Sequence, residues 1–217
     1  MSVGKIEAVL FDFDGVLVDS QAASFAWLSQ VISEYGYRKP REEDYREAFG
    51  MDRRDAIKHL TKEESERKID GMMEFAKANE RSYPVDMVRL YDLEVDTLKA
   101  LSGRYKLGVV TNGGRSAVER FFNGANVENL FSVVVAREDV INPKPDPEPL
   151  LVAAKKLGIA PEKIVYVGDY DVDAIAGHAA GVKVIGFSKD GVEGADANVL
   201  EFKEIPKAIS KLEKDLF

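Results

Sequence analysis

Asp12 and Asp14 stand two residues apart where the apolar run Ala8-Val9-Leu10-Phe11 ends, and Gly15 follows them at once. If the run is a strand, its alternation points both carboxylates the same way, and the glycine lets the backbone turn. Like charges so close are tolerated when a cation or a proton lies between them, so the pair suggests metal-assisted chemistry. Three further polar clusters each follow an apolar run. Thr111-Asn112-Gly113-Gly114 offers a hydroxyl and a small, flexible backbone where a helix opens, which suits an anion or, equally, a plain turn with a helix cap. Asn142-Pro143-Lys144-Pro145-Asp146-Pro147 fixes one lysine between prolines, so Lys144 could aim a positive charge at a phosphoryl group or simply sit in a connector. Gly168-Asp169-Tyr170-Asp171-Val172-Asp173 alternates three carboxylates at a strand-to-helix junction, fitting either helix capping or metal binding.

The elements that must position these clusters are legible in the pattern. Five β-branched or apolar runs read as strands: residues 6–12, 106–111, 133–136, 164–168 and 182–187. Helical patterns over 116–123, 147–157 and 172–180 separate them, with Gly158 and Gly181 at the expected C-terminal stops. Strand and helix in alternation imply an α/β fold, a doubly wound parallel five-stranded, Rossmann-like core that carries its ligands outside the carboxyl ends of the strands. All four clusters then converge on one edge. Carboxylates for a cation, a hydroxyl and amides for an anion, and a lysine for charge make a kit for phosphoryl transfer.

Between the first strand and the second the pattern becomes helical. Phe25, Leu28, Val31 or Ile32 and Tyr35 form one stripe, and Ile69, Met72 and Phe75 another. The run 62–68 reads as a solvated helix face, Tyr83-Pro84 marks the return crossing, and 88–101 reads as a helix leading back to the sheet. The expected division is therefore an α/β core of residues 1–17 and 87–217, with an inserted α-helical cap of residues 18–86.

Composition narrows the partners. The 217 residues carry 30 Lys and Arg against 38 Asp and Glu, a formal charge of −8 and a pI near 5.0, which argues against nucleic-acid or anionic-membrane surfaces and for a small-molecule substrate. With no cysteine, any metal is held by oxygen or by the two histidines, and oxygen ligands favour Mg²⁺. His59 and His178 lack metal-ligand spacing and read as ordinary packing or surface residues. No apolar stretch suits a leader or a membrane span, so a cytoplasmic monomer or homodimer is expected.

Asp12-Phe13-Asp14-Gly15-Val16-Leu17-Val18-Asp19-Ser20, Thr111-Asn112, Lys144-Pro145-Asp146-Pro147 and Gly168-Asp169 with Asp173 resemble the four ordered motifs of the haloacid dehalogenase superfamily. The insert after the first motif is similar in pattern to the helical cap of its phosphoglycolate phosphatase and β-phosphoglucomutase branch. The resemblance implies a Mg²⁺-dependent phosphatase acting on a small phosphorylated metabolite. Asp12 would form an aspartyl-phosphate, and Asp14 would protonate the leaving oxygen and later activate water. The metal would lie on the Asp12 carboxylate, the Asp14 backbone carbonyl and the Asp169 carboxylate, with Asp173 in or near that set. Thr111, an amide at Asn112 or Gly113, and Lys144 would hold the phosphoryl oxygens.

Asp14 separates branches of the superfamily, because carbon–halogen cleavage needs no proton for the departing halide. Tyr170 stands where relatives commonly carry Ser or Thr, which leaves Asp171 and Asp173 in competition for the outer acid. Specificity is expected in the cap, where the segment 49–55 is similar to a loop that holds a second phosphate in β-phosphoglucomutases, with Arg53 in the matching place. Ser24 stands where those mutases carry a histidine, so hydrolysis is favoured over a phosphomutase. A phospho-accepting receiver or an inactive regulatory module is the alternative of a different class; the inserted cap argues against the receiver and the intact acidic set against the inactive module.

Overall fold

The computed structural model describes residues 5–49, 51–79, 82–89, 91 and 94–215. The chain forms two compact units, residues 1–17 with 90–217 and residues 18–89. The second unit is helical: α1 (Gln21–Glu34), α2 (Glu42–Ala48), α3 (Arg53–Thr61) and α4 (Glu66–Ala78). Its two ends are tied by an antiparallel bridge in which Asp19 and Arg89 exchange backbone hydrogen bonds of 2.8 and 3.0 Å. Helix α1 buries Trp27, Leu28, Val31 and Ile32, while α4 buries Ile69, Met72 and Ala76. Phe25 and Tyr35 lie at the margin of the expected stripe, packing on Tyr45 and Phe75 at 5.2 and 6.2 Å.

Two helical expectations fail locally. The run 62–68 is no continuous helix face, because Lys62 ends α3 with a left-handed φ of 54° and the Glu63 carboxylate takes the N–H groups of Glu64 and Ser65. The segment expected as a helix from 88 is not helical at Val88, which follows a 3₁₀ turn over Val85–Met87, and is helical over Glu94–Ser102; Leu90, Asp92 and Leu93 lie outside the described residues.

The first unit is an α/β sandwich with strands β1 (Ala8–Phe11), β2 (Lys106–Val110), β3 (Phe131–Val135), β4 (Ile164–Gly168), β5 (Lys183–Phe187) and β6 (Ala197–Val199). All neighbours are parallel, in the order β3-β2-β1-β4-β5-β6. Six strands replace the five expected. The sixth has no apolar run to betray it; it is secured by polar contacts, with Asp196 accepting from the Val184 N–H and Asn198 from the Val192 N–H, both at 2.8 Å. Its helices are α5 (Glu94–Ser102), α6 (Arg115–Ala125), α7 (Glu148–Leu157), α8 (Asp171–Ala180) and α9 (Ile205–Asp215).

The register carries the site. Ala8 pairs with Ile164 and Leu10 with Tyr166, and these four pack against Leu150, Ala153, Ala154 and Leu157 of α7 and Ala176 and Ala180 of α8. Phe11 points the other way and stacks on Phe202 at 5.9 Å. Asp12 shares the parity of Ala8 and Leu10, so it emerges on the side covered by α7 and α8. Strand order reverses between β1 and β4, which puts the ends of these strands at the switch point where open α/β sheets bind ligands.

Candidate active site

Asp12 is 5% exposed, and its N–H extends the ladder to the Val167 carbonyl at 2.8 Å. The next turn depends on Gly15, whose φ is +84° and whose added Cβ would fall 1.9 Å from Asp169 Oδ2. Loop and carboxylate thus approach as only glycine permits. Gly168 has a similar constraint, since a Cβ there would stand 2.3 Å from the Asp173 Cβ. Asp14 is half-buried on the other side of the loop; its Oδ2 would be 3.0 Å from a Cβ on Gly113, and Thr111 Oγ1 would be 3.2 Å from that same point.

Lys144 reaches into the centre from the loop before α7 and is buried. Its Nζ donates to Asp173 Oδ1 at 2.6 Å and to the Tyr166 hydroxyl at 2.7 Å. Asp12 Oδ1 lies 3.0 Å away, close enough for an ion pair but too oblique for a hydrogen bond, so that oxygen has no aligned donor. Asp173 is fully buried at the start of α8; its Oδ2 accepts from the N–H groups of Asp169 and Tyr170, both at 3.1 Å. Asp171 takes no part in this cluster: it is exposed and accepts from the Glu193 N–H at 3.2 Å.

Carboxylate oxygens of Asp12, Asp169 and Asp173 lie within 4.8 Å of one another. Burial, with Asp173 and Asp14 adding and Lys144 opposing, pushes the Asp12 carboxyl up to about 7. Asp169 is pushed well above the usual carboxylate range by desolvation, then by Asp173 and Asp12. Burial alone would lower Lys144, but the Asp12 and Asp173 carboxylates outweigh it and hold the ammonium above its ordinary value. Three crowded carboxylates, two of them sharing one lysine and one with an oxygen lacking an aligned donor, fit a hard cation held by oxygen.

The anion side is built less openly than its sequence suggests. Thr111 is buried, and its Oγ1 already accepts the Gly113 N–H at 2.9 Å. Asn112 acts as a strap: its side chain donates to the Lys144 carbonyl at 3.0 Å and accepts the Lys144 N–H at 2.9 Å, tying two of the loops together. Glu138 receives the Arg115 N–H at 3.1 Å and so occupies the N-terminus of α6. Arg53 is the first residue of α3 in the helical unit, half-buried and without an ion-pair partner among the described residues; Gly50 of its segment lies outside them. Arg54 beside it is bound to Glu66 and Asp70. His59 pairs with Glu47 at 3.3 Å and His178 with Asp196 at 3.1 Å. Tyr166 escaped notice in the sequence, although a phenol inside the apolar run Ile164-Val165-Tyr166-Val167 signals a buried hydroxyl in need of partners.

Residues 9–187 match the family model of haloacid dehalogenase-like hydrolases, and the chain belongs to that family. A pyrophosphatase PpaX of Bacillus pumilus is 31% identical over 217 residues, spanning all of this chain and 97% of that protein. Among solved structures, a haloacid dehalogenase-like hydrolase of Bacteroides fragilis superimposes with a TM-score of 0.86 at 25% identity, covering 93% of this chain and 100% of the other. A protein described as a phosphoglycolate phosphatase of Haemophilus somnus shares the fold, with a TM-score of 0.81 at 23% identity over 95% and 99% of the two chains. Among the described residues no helix is long and apolar enough to cross a membrane.

Proposed function

We propose that this haloacid dehalogenase-like hydrolase is a Mg²⁺-dependent phosphatase that cleaves a small phosphorylated metabolite through an aspartyl-phosphate on Asp12. The observation that carries this reading is the Asp12 carboxylate itself, buried at the switch point, 3.0 Å from a lysine ammonium and with one oxygen lacking an aligned donor. A nucleophile needs that freedom, and the neighbouring ammonium opposes the burial that disfavours its ionised form. In the first step an Asp12 oxygen bonds to phosphorus while the bond to the leaving oxygen breaks and Asp14 supplies that oxygen's proton. In the second, Asp14 takes a proton from water, the water oxygen attacks phosphorus, and Asp12 is released. Lys144, the Thr111 hydroxyl and a backbone amide at Asn112 or Gly113 bear on the phosphoryl oxygens. The carboxylates of Asp12 and Asp169 and the Asp14 carbonyl, with Asp173 behind them, would hold Mg²⁺, which offsets the negative charge of the phosphoryl group.

Supporting the phosphate chemistry are the names of similar proteins, a pyrophosphatase among them. Phosphoglycolate, sugar phosphates and inorganic pyrophosphate therefore form the first substrate panel, read by phosphate release. Asp12→Asn should lower turnover at least about a thousandfold, in line with loss of a covalent nucleophile, while the unfolding transition stays cooperative. Retention of a tenth of the activity would exclude attack by Asp12. Isomerised sugar in place of free phosphate would favour the mutase.

A further inference from the structure

Tyr166 carries a hydroxyl to which the phosphatase reading gives no task. Its Oη accepts from Lys144 Nζ at 2.7 Å and has two acceptors for its single proton, the Val110 carbonyl at 3.1 Å and Asp173 Oδ1 at 3.0 Å. The phenol thus reaches from β4 past the end of β1 to β2, and joins that strand end to the first turn of α8. Such a span holds the oxygen itself in place. A lysine ammonium has three N–H bonds set tetrahedrally about Nζ. Here Asp173 takes one and Tyr166 the second. A single acceptor leaves the ammonium free to swing around it, whereas two acceptors and the Cε bond fix the direction of the third N–H. Asp12 Oδ1 lies 3.0 Å from Nζ and shares in neither of those two bonds.

We propose that Tyr166 is a positioning residue: its hydroxyl, acting through Lys144, directs the third ammonium N–H to the gap beside Asp12 where a phosphoryl oxygen arrives. The choice of a phenol has a chemical reason. A carboxylate in its place would put one more negative charge on the lysine already shared by Asp12 and Asp173. A neutral hydroxyl orients the ammonium and leaves its charge available to the phosphoryl group. The inference rests on the phosphatase reading for what arrives at the gap, but not for the fixing of Lys144.

Tyr166→Phe removes one oxygen and keeps the ring. With Mg²⁺ present, inorganic phosphate should bind the variant about tenfold more weakly by calorimetry, the size expected when a charged donor loses a fixed partner. Because a reversibly unfolded fraction would itself weaken the apparent affinity, the comparison is made at a temperature where urea unfolding shows the variant fully folded, so that a merely destabilised protein would leave the dissociation constant unmoved. In a Lys144→Met background the same change should cost less than about twofold. An unchanged phosphate affinity in Tyr166→Phe, or an equal loss in both backgrounds, would overturn the proposal. In wild-type protein with ¹⁵N-labelled lysine, Lys144 should give a slowly exchanging ammonium signal, absent from Lys144→Met and lost or broadened in Tyr166→Phe. No such signal in the wild type, or its persistence in Tyr166→Phe, would also refute the positioning role. This measurement needs no phosphate. Wild-type protein that neither binds phosphate nor releases it from any ester would instead defeat the phosphatase reading, and the ammonium signal would still decide whether Tyr166 fixes Lys144.

Discussion

Gly15→Ala separates what the fold requires from what the site requires. At a φ of +84° an alanine is strained, which costs about 1–2 kcal/mol in a left-handed conformation. The new methyl would also meet Asp169 Oδ2 at 1.9 Å and its Cγ at 2.6 Å. Non-bonded carbon and oxygen do not approach much below about 3 Å, so loop and carboxylate must part by about 1 Å. The loop cannot yield freely, because the Tyr91 hydroxyl holds the Gly15 carbonyl at 2.9 Å. A misplacement of about 1 Å among reacting groups costs on the order of a hundredfold in rate. Gly158→Ala supplies the control: φ is +68° there, and nothing lies within 4 Å of the added Cβ. Gly158→Ala should lose about 1–2 kcal/mol in urea unfolding, and Gly15→Ala at least as much because its methyl also meets Asp169. Only Gly15→Ala should lose about a hundredfold in kcat/KM and need more Mg²⁺ for half-activation. If Gly15→Ala keeps kcat/KM and the Mg²⁺ requirement within about threefold of wild type, the fit between loop and Asp169 does not matter as argued.

Chelation by EDTA should stop hydrolysis and Mg²⁺ restore it; Mg²⁺ at about a hundred times its Kd should also stabilise the fold by about 2.7 kcal/mol, and a melting temperature indifferent to Mg²⁺ would contradict binding by the Asp cluster. Asp14→Asn should give a burst of p-nitrophenolate from p-nitrophenyl phosphate, since that leaving group needs no proton while the second step still lacks its base; linear release from the first turnover would count against the assigned role. Burial, opposed by the Tyr91 N–H, pushes Glu94 up from 4.5 to about 8. Its folded form holds the proton more tightly than the unfolded chain, so this stability is complete below pH 4.5 and is lost as pH rises through about 8, by up to about 5 kcal/mol. Urea unfolding should show that decline in wild type and a flatter profile in Glu94→Gln; parallel profiles would refute it.

Sequence revealed whatever has a period or a punctuation mark. The first five strands announce themselves by apolar runs, and α7 and α8 by runs ending at Gly158 and Gly181. Strand β6 was hidden because three residues held by Asp196 and Asn198 side chains leave no hydrophobic signature. The break at Lys62 was hidden because charged residues read alike on a helix face and in a connection. Motif spacing located the acidic and basic groups but not their partners. Sequence places Asn112 in an anion loop but cannot foretell that its side chain straps Lys144, a contact between residues 32 apart that no local pattern encodes. Asp171 and Asp173 were indistinguishable by type and differ by orientation: one turn of α8 sends Asp173 inward and leaves Asp171 at the surface.

The same orientation bears on why the cluster can exist in the folded chain. Two partners stand against the mutual repulsion of Asp12, Asp169 and Asp173: Lys144, and the start of α8, where the Asp169 and Tyr170 N–H groups meet Asp173 Oδ2. Asp173 is therefore the best satisfied of the three, with the helix end on one oxygen and Lys144 and Tyr166 on the other. Asp12 is less so, its Oδ1 left without an aligned donor and its carboxyl pushed up to about 7, mainly by burial. Such an inequality suits a division of labour in which one acid fixes the lysine and the other is left to react. On the proposed mechanism the cost of ionising Asp12 falls on the very group that must be ionised to attack, so a metal held beside it would also favour the attacking form of Asp12.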